Sequence, residues 1–495
     1  MTMQVDEVLS EETNSLKDQR QDVIKSTVGD FGRWQLKISV LMALVKFPIA
    51  WFQMSIVFLA PPITFWCKKS TNWSDDSQLG SCLVNNSKCD QFTYDNSSMF
   101  TTTIITEWDL VCDKEKLVDV SQVSLMFGVL LGNIIFGILA DKKGRKTILI
   151  LCLLMQSMFG VLAAFSPFFW LFCALRFMLA LANGGTMVTS FVICMEVVGG
   201  KWRTIVPILY QIPFGFGYSL LSFFAYFIRE WRCLHLTLSV LSMTYLALYW
   251  FIPESPRWLL AVGKHQEALI ILENATRDTK TECDINLIMT NLSNTASTSS
   301  GKRSLKMLFS REELRSRSLL LSATWFIAGV TFYAFIQHVG HIGHNLFLTV
   351  AVGGFVSLPG TLLCVLIINK FSRRQTICSS CLVTALSSLL ILGFPKGEYH
   401  LDWPRLLLSG AGIIGLSISI PAMYLFTGEL YPTIFRNSGV GLAMMFSRLG
   451  SMVAPLLISL QTAYEILPLT VIGVLAFLQA VLVLVLPEMH GTEDF

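Results

Sequence analysis

"GILADKKGRK", residues 137–146, decides how the rest of the chain is read. On both sides of it lie apolar runs long enough to cross a bilayer, which takes about 20 helical residues. Lys142, Lys143, Arg145 and Lys146 crowd into the short polar interval between those runs. Basic residues in short loops hold such loops on the cytoplasmic face. The stretch therefore reads as a hairpin between two membrane helices, with its basic tip inside the cell. Gly144 suits a sharp reversal, because glycine reaches positive φ without a Cβ penalty. Gly137 is expected to let a neighbouring helix approach closely. Asp141 is expected to accept hydrogen bonds at another helix's N-terminus, where the macrodipole favours an anion. Arg145 is expected to pair with a carboxylate of the same face.

Composition extends this reading to the whole chain. Of 495 residues, 53% are hydrophobic and only 14% charged, against about 25% charged in ordinary soluble domains. Twelve apolar runs are expected to span, near 36–60, 118–140, 147–165, 169–195, 204–227, 234–252, 318–338, 346–368, 376–394, 405–427, 438–460 and 466–486. The fold class is an all-α membrane protein of twelve transmembrane helices. The first apolar run is too long for the core of a cleavable leader, so a retained N-terminus is expected. With both termini in the cytoplasm, the short inner loops hold Lys142, Lys143, Arg145, Lys146, Lys201, Arg203, Lys370, Arg373, Arg374 and Arg436. The short outer loops hold only Arg229, Arg232, Lys396 and Arg405. A net charge of +3 points to no nucleic acid partner; the partner that composition demands is the lipid bilayer.

The long loop 67–116 checks this orientation independently. It carries Cys67, Cys82, Cys89 and Cys112, enough for two disulfides in any of three pairings. It also carries glycan acceptor tripeptides at Asn72, Asn85 and Asn96. Both modifications belong to the extracellular side. Asn274 and Asn291 carry the same tripeptide in the segment assigned to the cytoplasm, and are expected to stay unmodified.

The chain also repeats itself. "DKKGRK" from Asp141 answers to "NKFSRR" from Asn369, "EVVGGKWR" (Glu196 to Arg203) to "ELYPTIFR" (Glu429 to Arg436), and Pro253-Glu254 to Pro487-Glu488. The copies stand about 230 residues apart, each after an even-numbered run. A six-helix unit present twice in one orientation resembles the major facilitator fold, which binds substrate near the midplane between its halves. The expected domains are a cytoplasmic N-terminus 1–35, a first half 36–253, a cytoplasmic linker 254–317, a second half 318–487 and a cytoplasmic tail 488–495.

The opening stretch itself resembles the signature loop of the major facilitator superfamily, with Gly137, Asp141, Gly144 and Arg145 at the pattern positions. "PESPRWL" from Pro253, "GELYPTIFRNSGVG" from Gly428, "EWDLVCD" from Glu107 and the cysteine loop are together similar to the organic cation/anion/zwitterion transporter family. The likeness covers nearly the whole chain, and "AWFQMSIVFLAPP" from Ala50 is similar to the insect branch. The resemblance implies a plasma-membrane secondary transporter of small organic ions that works by alternating access, not an enzyme, and without a cofactor. Glu196, Arg203, Glu254, Arg257, Glu429 and Arg436 are expected to join the signature loop in a network that closes the cytoplasmic side. Exposed ion pairs contribute only ~0–1 kcal/mol each, weak enough to break in every cycle.

"GVGLAMMFSRLGSMVAPLL", residues 439–457, places Arg448 at the centre of a spanning run. An arginine there costs ~2.5–3.5 kcal/mol on insertion scales. No Asp or Glu lies in the middle of any of the twelve runs; the other deep charges are Lys46 and Arg176. Without internal carboxylates, a bound anion is the natural counter-charge. The family resemblance implies the same. Its cation-selective members carry an aspartate in this helix, and its anion-selective and carnitine-type members an arginine like that of "FSRLGS". Organic anions or carnitine-like zwitterions are the expected substrates, with a cation transporter and a non-transporting receptor as alternatives. Lys46 stands beside Pro48, either facing a cavity or snorkelling to the interface, and Arg176 is expected to make a structural pairing. Phe332 and Tyr333 stand where the family resemblance places paired tyrosines, the first being Phe here. Tyr218, Phe214, Trp325 and Tyr424 are further rings able to line a pocket.

His338, His341 and His344 ("HVGHIGH") are interrupted by two glycines, and Cys378 and Cys381 have no second pair, so no metal is expected. Gly263-Lys264 and Gly301-Lys302 lack the upstream glycine of a phosphate loop, which leaves facilitated or ion-coupled transport with no coupling ion named.

Overall fold

The computed structural model describes residues 31–67, 82–84, 87–89, 91–94, 99–200, 202–279, 312–340, 345–368, 370–395, 397–399, 402–431, 436–462 and 466–487. Asn72, Asn85, Asn96, Asn291, His341 and His344 lie outside the described residues, as does the side chain of Arg436. Twelve helices are long and apolar enough to cross a membrane. Spans 1 to 6 are Arg33–Met54, Cys112–Lys143, Arg145–Ala164, Phe169–Val197, Trp202–Phe227 and Trp231–Phe251. Spans 7 to 12 are Arg315–Val339, Leu346–Ile368, Arg373–Ile391, Trp403–Leu430, Gly439–Ser459 and Leu467–Val485. They fall where the apolar runs predict them, within a few residues at most ends.

Proline breaks two of the spans. A proline has no N–H for the carbonyl four residues earlier. Pro48 withholds that bond from Leu44, and span 1 breaks at Val45, directly before Lys46. Pro213 withholds it from Leu209, and span 5 breaks between Leu209 and Ile212. Both breaks turn out to border the candidate site.

Packing repeats with the sequence. In the first half, span 1 packs on 5, span 2 on 4, and span 3 on both 4 and 6. In the second half the equivalents recur, 7 on 11, 8 on 10, and 9 on 10 and 12. The halves meet through spans 5 and 8 and through spans 2 and 11, again equivalent pairs. The first of these contacts is made at glycines. A Cβ on Gly354 would lie 2.6 Å from the carbonyl oxygen of Gly215 and 2.8 Å from the nitrogen of Ser219. Ser219 Oγ donates to the carbonyl of Ala351 (2.8 Å), and Phe58 stacks on Phe347 with ring centroids 5.7 Å apart. Small residues and interhelical hydrogen bonds hold helices together in lipid, where apolar burial alone drives nothing.

At the same end of the bundle the cysteine loop folds back over the helices. Phe65–Cys67 pairs antiparallel with Phe92–Tyr94. Of the three pairings, the structure makes Cys67–Cys89 and Cys82–Cys112, with Cα separations of 5.8 and 5.6 Å. The "EWDLVCD" stretch supplies Glu107, which accepts from Trp231 Nε1 (2.6 Å) and pairs with Arg232. Arg232 also donates to the carbonyls of Ala164 and Ser166, which fastens the loop across the ends of spans 3 and 6.

Candidate functional site

Arg448 lies midway along span 11 and is 7% exposed. One terminal nitrogen donates to Tyr333 Oη at 2.6 Å and the other to Met187 Sδ at 3.0 Å. The Tyr333 ring lies 5.8 Å from the guanidinium carbon. Lys46 enters from the break in span 1 and is equally buried. Its Nζ donates to Gln211 Oε1 (3.3 Å) at the break in span 5 and sits 4.5 Å from the Tyr210 ring centroid. It therefore faces inward and does not snorkel.

The two cations line one cavity of about 30 Å³, with Asn133, Met187, Phe191, Gln211, Tyr424, Met444 and Ser447 around them. Among the described residues no carboxylate lines it. Arginine cannot shed its proton in a protein, and like charges in a poorly solvated space repel strongly. An anion placed between Lys46 and Arg448 relieves both that repulsion and the loss of hydration. Gln211 also lines a second cavity of about 80 Å³, walled by Phe214, Tyr218, Phe332, Ile336, Ile413 and Leu416. Tyr218 and Phe332 thus belong to the apolar neighbour of the cationic cavity, while Tyr333 contacts Arg448 itself. Trp325 is packed away, donating to Thr427 Oγ1 and meeting Tyr424 edge to face.

Arg176, the third deep charge, is buried among neutral partners. It donates to Gln122 Oε1 (3.0 Å) and Ser121 Oγ (3.4 Å), and its guanidinium lies 5.6 Å from the Phe172 ring centroid. It makes the structural pairing expected of it, though with amide and hydroxyl oxygens.

The opposite end of the bundle holds the signature loop. Gly144 turns at φ 106°, a reversal that favours glycine, between spans 2 and 3. The anion expected at a helix N-terminus is present, but it is Glu254 and not Asp141. Glu254 Oε1 accepts from the backbone nitrogens of Arg145 (2.8 Å) and Lys146 (3.0 Å) at the start of span 3. Asp141 is too exposed for that role. It pairs with Arg145, and its carbonyl accepts from Trp258 Nε1 at 2.8 Å. Gly137 faces open space, with nothing within 4 Å of an added Cβ, so close helix approach is not its purpose.

Two carboxylate–arginine pairs lie at this end of the bundle. Glu196 pairs with Arg145 (3.2 Å), and Glu429 with Arg373 (3.1 Å). These are equivalent pairs of the two halves, and each stays within its half. Arg257 sits close to Arg203 and Glu196. Burial lowers it to about 10, Arg203 adds to the effect and Glu196 opposes it, so it stays charged at neutral pH.

Sequence reasoning missed a set of amides in the spans: the buried Gln53, Gln122, Gln156 and Asn183, and the partly buried Gln211. Their signal was present. An amide in an apolar span is costly unless it finds a hydrogen-bond partner, and these recur in spans 1 to 5.

Over residues 98–455 the chain matches the family model described as Major Facilitator Superfamily. It is 30% identical to the organic cation transporter-like protein of Drosophila melanogaster, over 94% of this chain and 89% of that one. It is 31% identical to solute carrier family 22 member 3 of Mus musculus, over 94% and 92%. Among solved structures, the proton:xylose symporter XylE aligns with a TM-score of 0.64 at 17% identity, covering 92% of this chain and 96% of that chain. At that identity the likeness shows the fold alone.

Proposed function

We propose organic anions as the substrates of this chain, which belongs to the organic ion transporter family of the major facilitator superfamily. As a member it is a multi-pass plasma-membrane protein and a secondary transporter of small organic ions, not an enzyme. The observation that carries the anion reading is the meeting of Lys46 and Arg448 on one cavity without a carboxylate among the described residues. The adjoining apolar cavity suits the body of the same molecule. A carboxylate on an apolar or aromatic frame would place its charge at Arg448, where two parallel charge-assisted hydrogen bonds can form.

A zwitterion is the second reading. Phe214 and Phe332, with ring centroids 6.3 Å apart in the apolar cavity, offer faces to a quaternary ammonium. The cation reading, which the name of the Drosophila relative suggests, would need a carboxylate at the cavity, and none lines it among the described residues.

In this account the cysteine loop is extracellular and both termini and the linker are cytoplasmic, as the basic loops imply. Arg145–Glu196 and Arg373–Glu429 brace each half as a unit, so the halves rock without breaking them. The zipped contact of spans 5 and 8 is the one that must open toward the loop end. A competition screen in cells expressing the chain tests the reading. Anionic competitors should inhibit tracer uptake most, zwitterions next, and matched cations least; strongest inhibition by cations would overturn it.

A further inference from the structure

We propose that Gln53 is a positioning residue that couples occupancy of Arg448 to the parting of the two halves. The inference rests on the reading of Arg448 as the anion site. Tyr333, on span 7, donates its hydroxyl hydrogen to Gln53 Oε1 on span 1 at 2.7 Å. This bond crosses between the halves, and both residues are buried, Gln53 at 1% and Tyr333 at 4% exposure. Its direction is consistent with the bond from Arg448. Arginine has only N–H groups to offer, so the Tyr333 oxygen accepts from Arg448 and turns its own hydrogen toward Gln53.

The Gln53 amide passes the same sense onward. Its Nε2 donates to Asn183 Oδ1 (2.9 Å), Asn183 Nδ2 to Gln156 Oε1 (3.5 Å), and Gln156 Nε2 to Ser242 Oγ (3.0 Å). A second chain starts at Arg176, passes through Gln122, and ends on the main-chain oxygen of Gln53 at 3.2 Å. Gln53 is thus the junction at which a chain from Arg448 and a chain from Arg176 arrive, one on its side chain and one on its backbone. The first chain alone crosses the interface.

A substrate carboxylate at Arg448 displaces the Tyr333 hydroxyl from the guanidinium. The freed hydroxyl then donates to the carboxylate, a stronger acceptor than a neutral amide, and leaves Gln53. One bond between the halves is present in the empty carrier and absent in the loaded one. The empty carrier therefore reorients more slowly than the loaded carrier, and the chain favours exchange over net flux.

The test uses the full-length protein in proteoliposomes and a labelled aromatic carboxylate. Uptake is compared between liposomes preloaded with the unlabelled compound and liposomes without it. Gln53→Leu should raise net uptake about three- to tenfold relative to exchange, the weight of one buried hydrogen bond, with KM for exchange within about twofold of wild type. Tyr333→Phe should lower the exchange-to-net ratio likewise, with KM raised because Tyr333 faces the substrate. Gln53→Asn, which keeps the amide but withdraws its oxygen, should follow Gln53→Leu. An unchanged or higher ratio in any variant that transports overturns the proposal. Failure of all three to fold overturns it too, by making Gln53 a structural residue. Arg448→Ala separates the two readings. Wild-type KM in Arg448→Ala refutes the anion site, whereas lost uptake there with an unchanged ratio in Gln53→Leu refutes the coupling alone.

Discussion

Replacing Arg448 with alanine separates a binding role from a structural one, because of the partners the side chain has. They are the Tyr333 hydroxyl and Met187 Sδ. Breaking a buried ion pair costs about 3–5 kcal/mol because it strands the other charge. Here no carboxylate is stranded, and the Tyr333 hydroxyl keeps Gln53 as an acceptor. The unliganded Arg448→Ala protein should therefore melt at or above the wild-type temperature, having lost a desolvated charge. Binding should respond in the opposite direction. Two hydrogen bonds between charged groups, at about 1.5 kcal/mol each net, amount to about 3 kcal/mol. That is roughly a hundredfold in apparent affinity. Arg448→Lys keeps the charge but loses the planar fork, so about half of that energy, or roughly tenfold, should go. Arg448→Asp should reject anions. The assay is initial uptake of a labelled organic anion normalised to surface protein, with the melting temperature of each purified variant beside it. Wild-type KM in Arg448→Ala refutes the binding role. A melting temperature lowered by about three degrees or more, on the order of 3 kcal/mol for a chain of this size, refutes the premise that Arg448 is not part of the scaffold.

Asp141→Ala and Arg145→Ala should both reach the cell surface and turn over several-fold more slowly at unchanged KM, since they loosen the brace between spans 2, 3 and 4; normal uptake by both would remove the signature loop from the transport cycle. Glu254→Gln should lower the melting temperature by about one to two degrees, because the carboxylate that accepts from Arg145 and Lys146 at the start of span 3 loses its charge, a change of about 1–2 kcal/mol; a melting point equal to wild type would mean that the cap contributes nothing. A glycosidase should shift the protein on a gel, and joint substitution of Asn72, Asn85 and Asn96 should abolish that shift. A shift that remains would place Asn274 or Asn291 outside and invert the assigned topology.

The spans were legible because each is a long apolar run, and the duplication was legible because hairpins and caps recur at matching places in both halves. Arg448 was legible for the same reason that it is costly: a charge in an apolar run stands out. Pairing was not legible. Arg145 and Glu196 belong to different motifs, and only the packing of span 3 against span 4 brings them together. Asp141 matches the signature pattern, but the helix N-terminus it was expected to cap is occupied by Glu254, more than a hundred residues later in the chain. The location of Lys46 depended on where a proline breaks span 1 relative to a second break in span 5, a relation between two helices that neither run carries alone. Gln53 was overlooked because an amide carries no charge to mark it, although it has partners on spans 2, 4 and 7.

The central claim is that the cavity between Lys46 and Arg448 selects negative charge. Its most direct test is initial uptake by the purified wild-type protein in proteoliposomes of two tracers that share one aromatic body, one ending in a carboxylate and the other in a quaternary ammonium. The account predicts at least tenfold faster uptake of the carboxylate at equal concentration. Equal rates, or faster uptake of the ammonium, would contradict it.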